Sequence, residues 1–107
     1  MTLERVATLS DLWIGELRAV SAAGRPIVLA RLEDSVHAYA DWCPHQRFPL
    51  SAGRLEHGQL TCAAHGWVFD AASGCGLNPS RARLTSVPVV IQGDDVLVDP
   101  SGLPVDS

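Results

Sequence analysis

Cys43-Pro44-His45 and, further along, Cys62-Ala63-Ala64-His65 constrain this chain more than any other feature. Each segment places one thiol beside one imidazole. Four such donors can hold a zinc ion, or a [2Fe–2S] cluster with two Cys on one iron and two His on the other. Either way, the fold must bring two short loops, distant in sequence, to one point.

The grouping of the donors bears on which group they hold. Zinc sites with two Cys and two His usually pair thiol with thiol and imidazole with imidazole. Here each loop carries one of each, which suits a two-iron rhomb better than one tetrahedral ion. A Cys43–Cys62 disulfide is a further alternative. The chain has three Cys, an odd number that does not make a disulfide framework. In a mixed-ligand cluster, two ferric ions, two sulfides and two thiolates sum to zero, and one added electron makes −1. An all-Cys cluster sits two charges lower in each state, so imidazole ligation raises the reduction potential. The imidazoles also leave ring N–H groups for protons or a partner.

The remaining composition narrows the class. A chain of 107 residues is expected to be one domain, spanning 1–107. Its formal net charge is −4 and its eight basic residues are all Arg, which argues against a nucleic-acid partner. No apolar run approaches the ~18 residues of a membrane span. The first residues lack a basic segment followed by an apolar one, so the cytoplasm is the expected compartment.

The pattern along the chain is one of short strands and turns. Residues 11–14 are expected to form one helical turn capped by Ser10. Residues 16–20 alternate polar and apolar as a half-buried strand does. The runs 26–32 and 35–40 read as strands joined by a turn at Glu33-Asp34. From about 41 to 84 the texture changes to Pro, Gly, His and Arg, and this segment reads as an inserted cluster-binding subdomain. Within it, 59–62 and 67–70 are expected strands. Residues 87–92 and 95–99 form a hairpin through Gly93-Asp94, where Gly at the first position favours type II′. Residues 100–107 are expected to be a loose tail. The sum is an all-β fold.

The ligand segments resemble the Rieske family. The resemblance takes in Cys43-Pro44-His45-Gln46, Leu50-Ser51-Ala52-Gly53, and Cys62-Ala63-Ala64-His65-Gly66-Trp67-Val68-Phe69-Asp70. It continues through Ser73-Gly74 and Gly76-Leu77-Asn78-Pro79, and in all covers roughly 6–99. The first ligand loop, Trp67 and the Gly76–Asn78 and Pro79 segment are similar to the ferredoxin component of diiron toluene and alkene (isoprene-type) monooxygenases. That implies a fold of three antiparallel β-sheets and one [2Fe–2S] cluster held by Cys43, His45, Cys62 and His65. A third, proline-containing loop, Gly76-Leu77-Asn78-Pro79, would cover the cluster. Gly66 departs from the toluene-type pattern, where a bulkier apolar residue is expected.

Comparison with respiratory Rieske proteins, which this chain also resembles at the ligands, bears on the potential. Those proteins have an extra Cys on each loop, forming a disulfide; Phe48 and Ala64 stand there in this chain. They also have Ser and Tyr hydroxyls bonded to cluster and thiolate sulfurs, where this chain has Trp67 and Phe69. Each missing bond to a charged acceptor is worth about 1.5–3 kcal/mol. For one electron that is roughly 60–130 mV each. The potential is therefore expected toward the low end of the ~−150 to +300 mV Rieske range.

The resemblance implies a monomeric electron carrier with no substrate turnover of its own. Its donor would be an NADH-dependent flavin/iron–sulfur reductase and its acceptor a diiron hydroxylase. Gln46, Arg47, Trp67 and Pro79 are the candidate partner-docking residues. Two alternatives stand beside it: the ferredoxin of an aromatic-ring dioxygenase, and a zinc-stabilised interaction module without redox function. The small subunit of a nitrite reductase is a weaker reading, since such chains often lack intact ligands. Trp13 and Trp42 are expected in the core and Cys75 as a thiol outside the ligand set. His37 and His57 are expected to face solvent. Gly53, Gly66 and Gly74 are expected to serve tight turns.

Overall fold

Ile27, Val28, Leu29 and Ala30 run apolar without a break, because their strand is buried on both faces. Ile27 and Leu29 face one hydrophobic cluster, and Val28 and Ala30 face another. The next strand repeats this division, with Ala38 and Ala40 on the first side and Tyr39 on the second. The computed structural model describes residues 3–43, 48–63, 66–78, 80 and 82–102.

Three antiparallel sheets result. The middle sheet has the order β2 (Leu17–Ala22), β3 (Arg25–Arg31), β4 (Val36–Ala40) and β9 (Ser86–Val87). One outer sheet contains β1 (Glu4–Thr8), β11 (Asp95–Val98) and β10 (Val89–Gln92). The other, the subdomain sheet, runs β5 (Arg54–Glu56), β6 (Gln59–Thr61), β7 (Val68–Asp70) and β8 (Gly76–Asn78). The first cluster joins the β1-β11-β10 sheet to the middle one through Val96, Val98, Val87 and Ile27. The second joins the middle sheet to the subdomain through Val28, Tyr39, Leu60 and Phe69. Burying a side chain such as Phe69 or Leu60 contributes about 1.5–3 kcal/mol.

Several expectations are met within a residue or two. The strands expected at 16–20, 26–32, 35–40, 59–62 and 67–70 appear as β2, β3, β4, β6 and β7. Gly93 takes φ +61°, as the first position of a II′ hairpin requires. Other expectations need correction. The turn near residue 11 is a 3₁₀ turn at Leu9–Asp11, and Ser10 does not cap it. Ser10 instead donates its amide and hydroxyl to the Asp94 carboxylate, which docks the turn on the β10–β11 hairpin. The run 87–92 is two strands, not one. Pro88 has no N–H to extend a ladder, and there the chain leaves the middle sheet for the outer one.

The expected tail begins as order: Pro100–Gly102 is a 3₁₀ turn, held by Ser101 donating its hydroxyl and amide to buried Asp99. These bonds, the hydroxyl first, hold the Asp99 carboxyl below its ordinary range. Residues 103–107 lie outside the described residues. Trp13, expected in the core, is 78% exposed, while Trp42 packs on the first cluster as expected. The strands β1, β5 and β8 had no counterpart in the sequence reading.

Candidate metal centre

Cys43 and Cys62 are each only 1% exposed and belong to the same hydrophobic cluster, beneath the subdomain sheet. Cys43 follows β4 and Cys62 follows β6. The two loops they open are closed in the same way. The Cys43 amide donates to the Phe48 carbonyl at 2.9 Å, and the Cys62 amide to the Trp67 carbonyl at 2.8 Å. In both, the amide of the thiol-bearing residue reaches the carbonyl five positions on. In the second loop Gly66 also donates to the Cys62 carbonyl at 3.0 Å, and its φ of +69° is one that a side chain would strain. That backbone requirement accounts for Gly where a bulkier residue was expected.

The loops are braced from outside. Asp41 accepts the Ser51 amide at 2.8 Å and the Ser51 hydroxyl at 2.7 Å, spanning the whole first loop. Ser51 sits in the 3₁₀ turn Leu50–Ala52, and Leu50 is fully buried in the shared cluster. Gly53 follows, and a Cβ there would lie 2.0 Å from the Thr61 carbonyl oxygen. Its φ is −82°, so Gly53 serves close approach and not the tight turn expected of it. The exit of the first loop is thereby pressed against the entrance of the second, one residue before Cys62.

A third loop has its base pinned by Gly76 donating to the Ala82 carbonyl at 2.8 Å and Leu84 donating to that of Gly74 at 2.9 Å. Gly76, Leu77 and Asn78, expected as loop, form edge strand β8 on the subdomain sheet instead. Leu77 is exposed there. Gly74 does serve a turn, with φ +79° and no room for a side chain against the Tyr39 ring. Tyr39 donates its hydroxyl to the Ala71 carbonyl at 2.6 Å, tying the middle sheet to the subdomain. Burial, with the charges of Asp70 and Cys75, pushes its pKa up to about 12. A surface cavity of about 340 Å³ opens beside Cys62, between Gly53, Arg54 and Gly66.

Of the sequence-derived site residues, Cys43 and Cys62 are brought together in one cluster. His45, His65, Gln46, Arg47 and Pro79 lie outside the described residues. Trp67 is half-buried against the shared cluster, so part of it packs and part faces outward. Among the described residues there is no disulfide, and no group of three His, Cys, Asp or Glu converges as a metal site. Cys75 is a half-buried thiol whose backbone bridges to Arg83. His37 is half-buried with its ring on the Ser35 hydroxyl, and His57 is exposed.

The donor set fits a mixed-ligand cluster. Two buried sulfurs would be costly as uncompensated thiolates, and a bound cation removes that cost. Both thiols are withdrawn from water, and in sequence each is followed within three residues by an imidazole. The residues the sequence reading missed are Asp41 and Ser51. Their signal is an acid two positions before Cys43 and a hydroxyl eight positions after it. Only the folded loop shows that the two meet.

The profile of the Rieske [2Fe-2S] domain family matches residues 2–88. The ferredoxin component of the alkene monooxygenase system of Xanthobacter autotrophicus is 38% identical over 100 residues, covering 92% of this chain and 82% of its own. The ferredoxin component of biphenyl 2,3-dioxygenase of Rhodococcus jostii is 31% identical over 103 residues, covering 95% and 96%. Among solved structures, the ferredoxin of carbazole 1,9a-dioxygenase from Nocardioides aromaticivorans aligns with a TM-score of 0.85 at 30% identity. That alignment covers 94% of this chain and 99% of the other.

Proposed function

The chain belongs to the Rieske [2Fe–2S] domain family, and from that premise we propose that it is the electron-carrying ferredoxin of a diiron monooxygenase acting on an alkene or aromatic hydrocarbon. Its donor would be an NADH-dependent flavin/iron–sulfur reductase and its acceptor the diiron hydroxylase. The observation that carries the reading is the pair of identically closed loops with buried Cys43 and Cys62 at their mouths. The higher identity to an alkene monooxygenase ferredoxin than to the biphenyl dioxygenase ferredoxin supports the monooxygenase system. The dioxygenase likeness, with the structural match to the carbazole dioxygenase ferredoxin, favours a second reading: a ferredoxin that reduces a ring-hydroxylating dioxygenase.

In this reading Cys43, His45, Cys62 and His65 hold the cluster, which supplies one-electron redox chemistry. The protein's own residues do the rest. Leu50, Leu60 and Phe69 exclude water from the thiol side. The backbone bonds from Cys43 to Phe48 and from Cys62 to Trp67 close the base of each loop. Gln46, Arg47, Trp67 and Pro79 make up the face offered to partners. The carrier works as a monomer in the cytoplasm, and the substrate chemistry belongs to the hydroxylase. No helix among the described residues is long and apolar enough to cross a membrane.

Replacing His45 or His65 by Ala tests the ligand set. Each variant is expected to lose the Rieske electron spin resonance signal of the reduced protein. An unchanged signal in either would remove that residue from the set. Reconstituted electron delivery to a diiron hydroxylase, compared with delivery to a Rieske dioxygenase, separates the two readings by which acceptor turns over.

A further inference from the structure

Trp13 is 78% exposed and Ile14 63% exposed, yet the turn that carries them is tightly held. Glu16 donates its amide to the Trp13 carbonyl at 2.9 Å and accepts the Trp13 amide on its carboxylate at 2.8 Å. The other carboxylate oxygen accepts Arg18 Nε at 2.7 Å, and Arg18 reaches back to the Asp11 carbonyl. Gly15, at φ +88°, donates to the Arg31 carbonyl on β3. The Trp13 amide first, with Arg18 in support, holds the Glu16 carboxyl below its ordinary value against the opposing effect of burial. Neither apolar side chain belongs to either core cluster. A rigid turn that displays Trp and Ile to water is preorganised for binding, since little ordering entropy remains to be lost.

Beside Ile14 lies a cavity of about 450 Å³. Ile14, Leu32 and Leu55 give it apolar walls, and Glu33 and Asp34 an acidic one. Among the described residues neither acid is in an ion pair. The Arg31 guanidinium on the same wall is turned onto the carbonyls of Leu32, Glu33 and Ser35. The cavity also meets His57 and Gly58, in the β5–β6 turn. That turn is at the end of β6 opposite Cys62.

We propose that Trp13, Ile14 and the adjoining acidic cavity form a second docking surface, separate from the ligand loops, for a basic protein segment in which Lys or Arg flanks an apolar side chain. The proposal rests on the ferredoxin reading, because the segment would belong to the reductase or the hydroxylase. Charge selects this occupant. A second copy of a chain with net charge −4 would bring acids against Glu33 and Asp34. An anionic lipid surface would do the same. A cationic side chain gains from both acids and from the face of Trp13. A partner held here sits at the end of β6 opposite Cys62, which would let the carrier stay tethered while the other end is used for transfer.

The test uses the holoprotein with purified reductase and hydroxylase. Calorimetric affinities are compared for wild type, Trp13→Ser with Ile14→Ser, and Glu33→Gln with Asp34→Asn. Both double variants are expected to bind one of the two partners about tenfold or more weakly, with the cluster spectrum unchanged. The wild-type affinity should fall as salt rises, and less steeply in the charge variant. Wild-type affinity for both partners in both variants would overturn the proposal. So would a wild-type dimer in sedimentation that the Trp13 variant loses, or binding to anionic vesicles that it loses. If wild type transfers electrons and the variants bind normally, this surface alone is refuted. If wild type neither accepts nor delivers electrons, the ferredoxin reading falls and this proposal falls with it.

Discussion

Tyr39 crosses from the middle sheet to the subdomain and is the only tyrosine in the chain, so its titration can be read directly. Tyr39→Phe removes the bond to Ala71 and leaves that carbonyl without its donor. The expected cost is about 1–3 kcal/mol, measured by denaturant unfolding. The folded pKa, about 12, lies above the unfolded value near 10. The neutral phenol is thus favoured by folding. Its contribution is full below about pH 10 and is lost as pH rises through the folded value. Absorbance titration should show no tyrosinate at pH 10 in the native protein, and stability should decline only beyond it. A tyrosine ionising near 10 in the folded state would contradict this account. At this scale the sequence was informative where chemistry is local. Cys43 and Cys62 declare themselves by type and spacing, and Gly66 and Gly74 by the turns they make. Trp13 was not legible, because a large apolar residue signals burial by frequency alone and this one sits on a turn fixed from beneath by Glu16.

Element by element, the site depends on how the first loop's exit meets the second loop's entrance. Gly53→Ala would put a methyl carbon against the Thr61 carbonyl, a backbone atom that cannot move aside without shifting β6. Loss of the cluster during purification is expected, detected as a fall in iron per chain. Ser51→Ala is milder. It removes one of two bonds to Asp41, and such a bond to a charged acceptor is worth about 1.5–3 kcal/mol. Faster iron release to a chelator is expected, with recovery in Ser51→Thr, which keeps the hydroxyl. Iron content and release at wild-type values in both Gly53→Ala and Ser51→Ala would mean that the brace does not set the loops. Strands with clear alternation or long apolar runs were legible in the sequence. The three-residue strands β5 and β8 were not, because they are too short to show a period and are formed by pairing with neighbours. Pro88 divides a run whose apolar pattern alone reads as continuous.

For the molecule as a whole, the middle sheet is the frame. Its strands β3 and β4 contribute buried residues to both clusters, so the same strands that pack against the β1-β11-β10 sheet also pack in the cluster that holds Cys43 and Cys62. Function is displaced to loops standing on that rigid base. The all-β class followed from the short strands and the turn residues between them, whereas the three-sheet arrangement came with the resemblance to the Rieske family. The Asp41–Ser51 brace and the Trp13 surface followed from neither, since each depends on residues that meet only after folding.

The central claim is that this fold holds a mixed-ligand [2Fe–2S] cluster and passes single electrons. The most direct measurement is a redox titration of the purified holoprotein followed by electron spin resonance. The expected result is a Rieske signal appearing on reduction with a one-electron slope and a midpoint below about zero, because Trp67 and Phe69 bring no hydroxyl to the sulfurs. A colourless protein containing zinc and no resonance would contradict the cluster itself. A midpoint near ~+300 mV would keep the cluster and contradict the hydrogen-bond account of its potential.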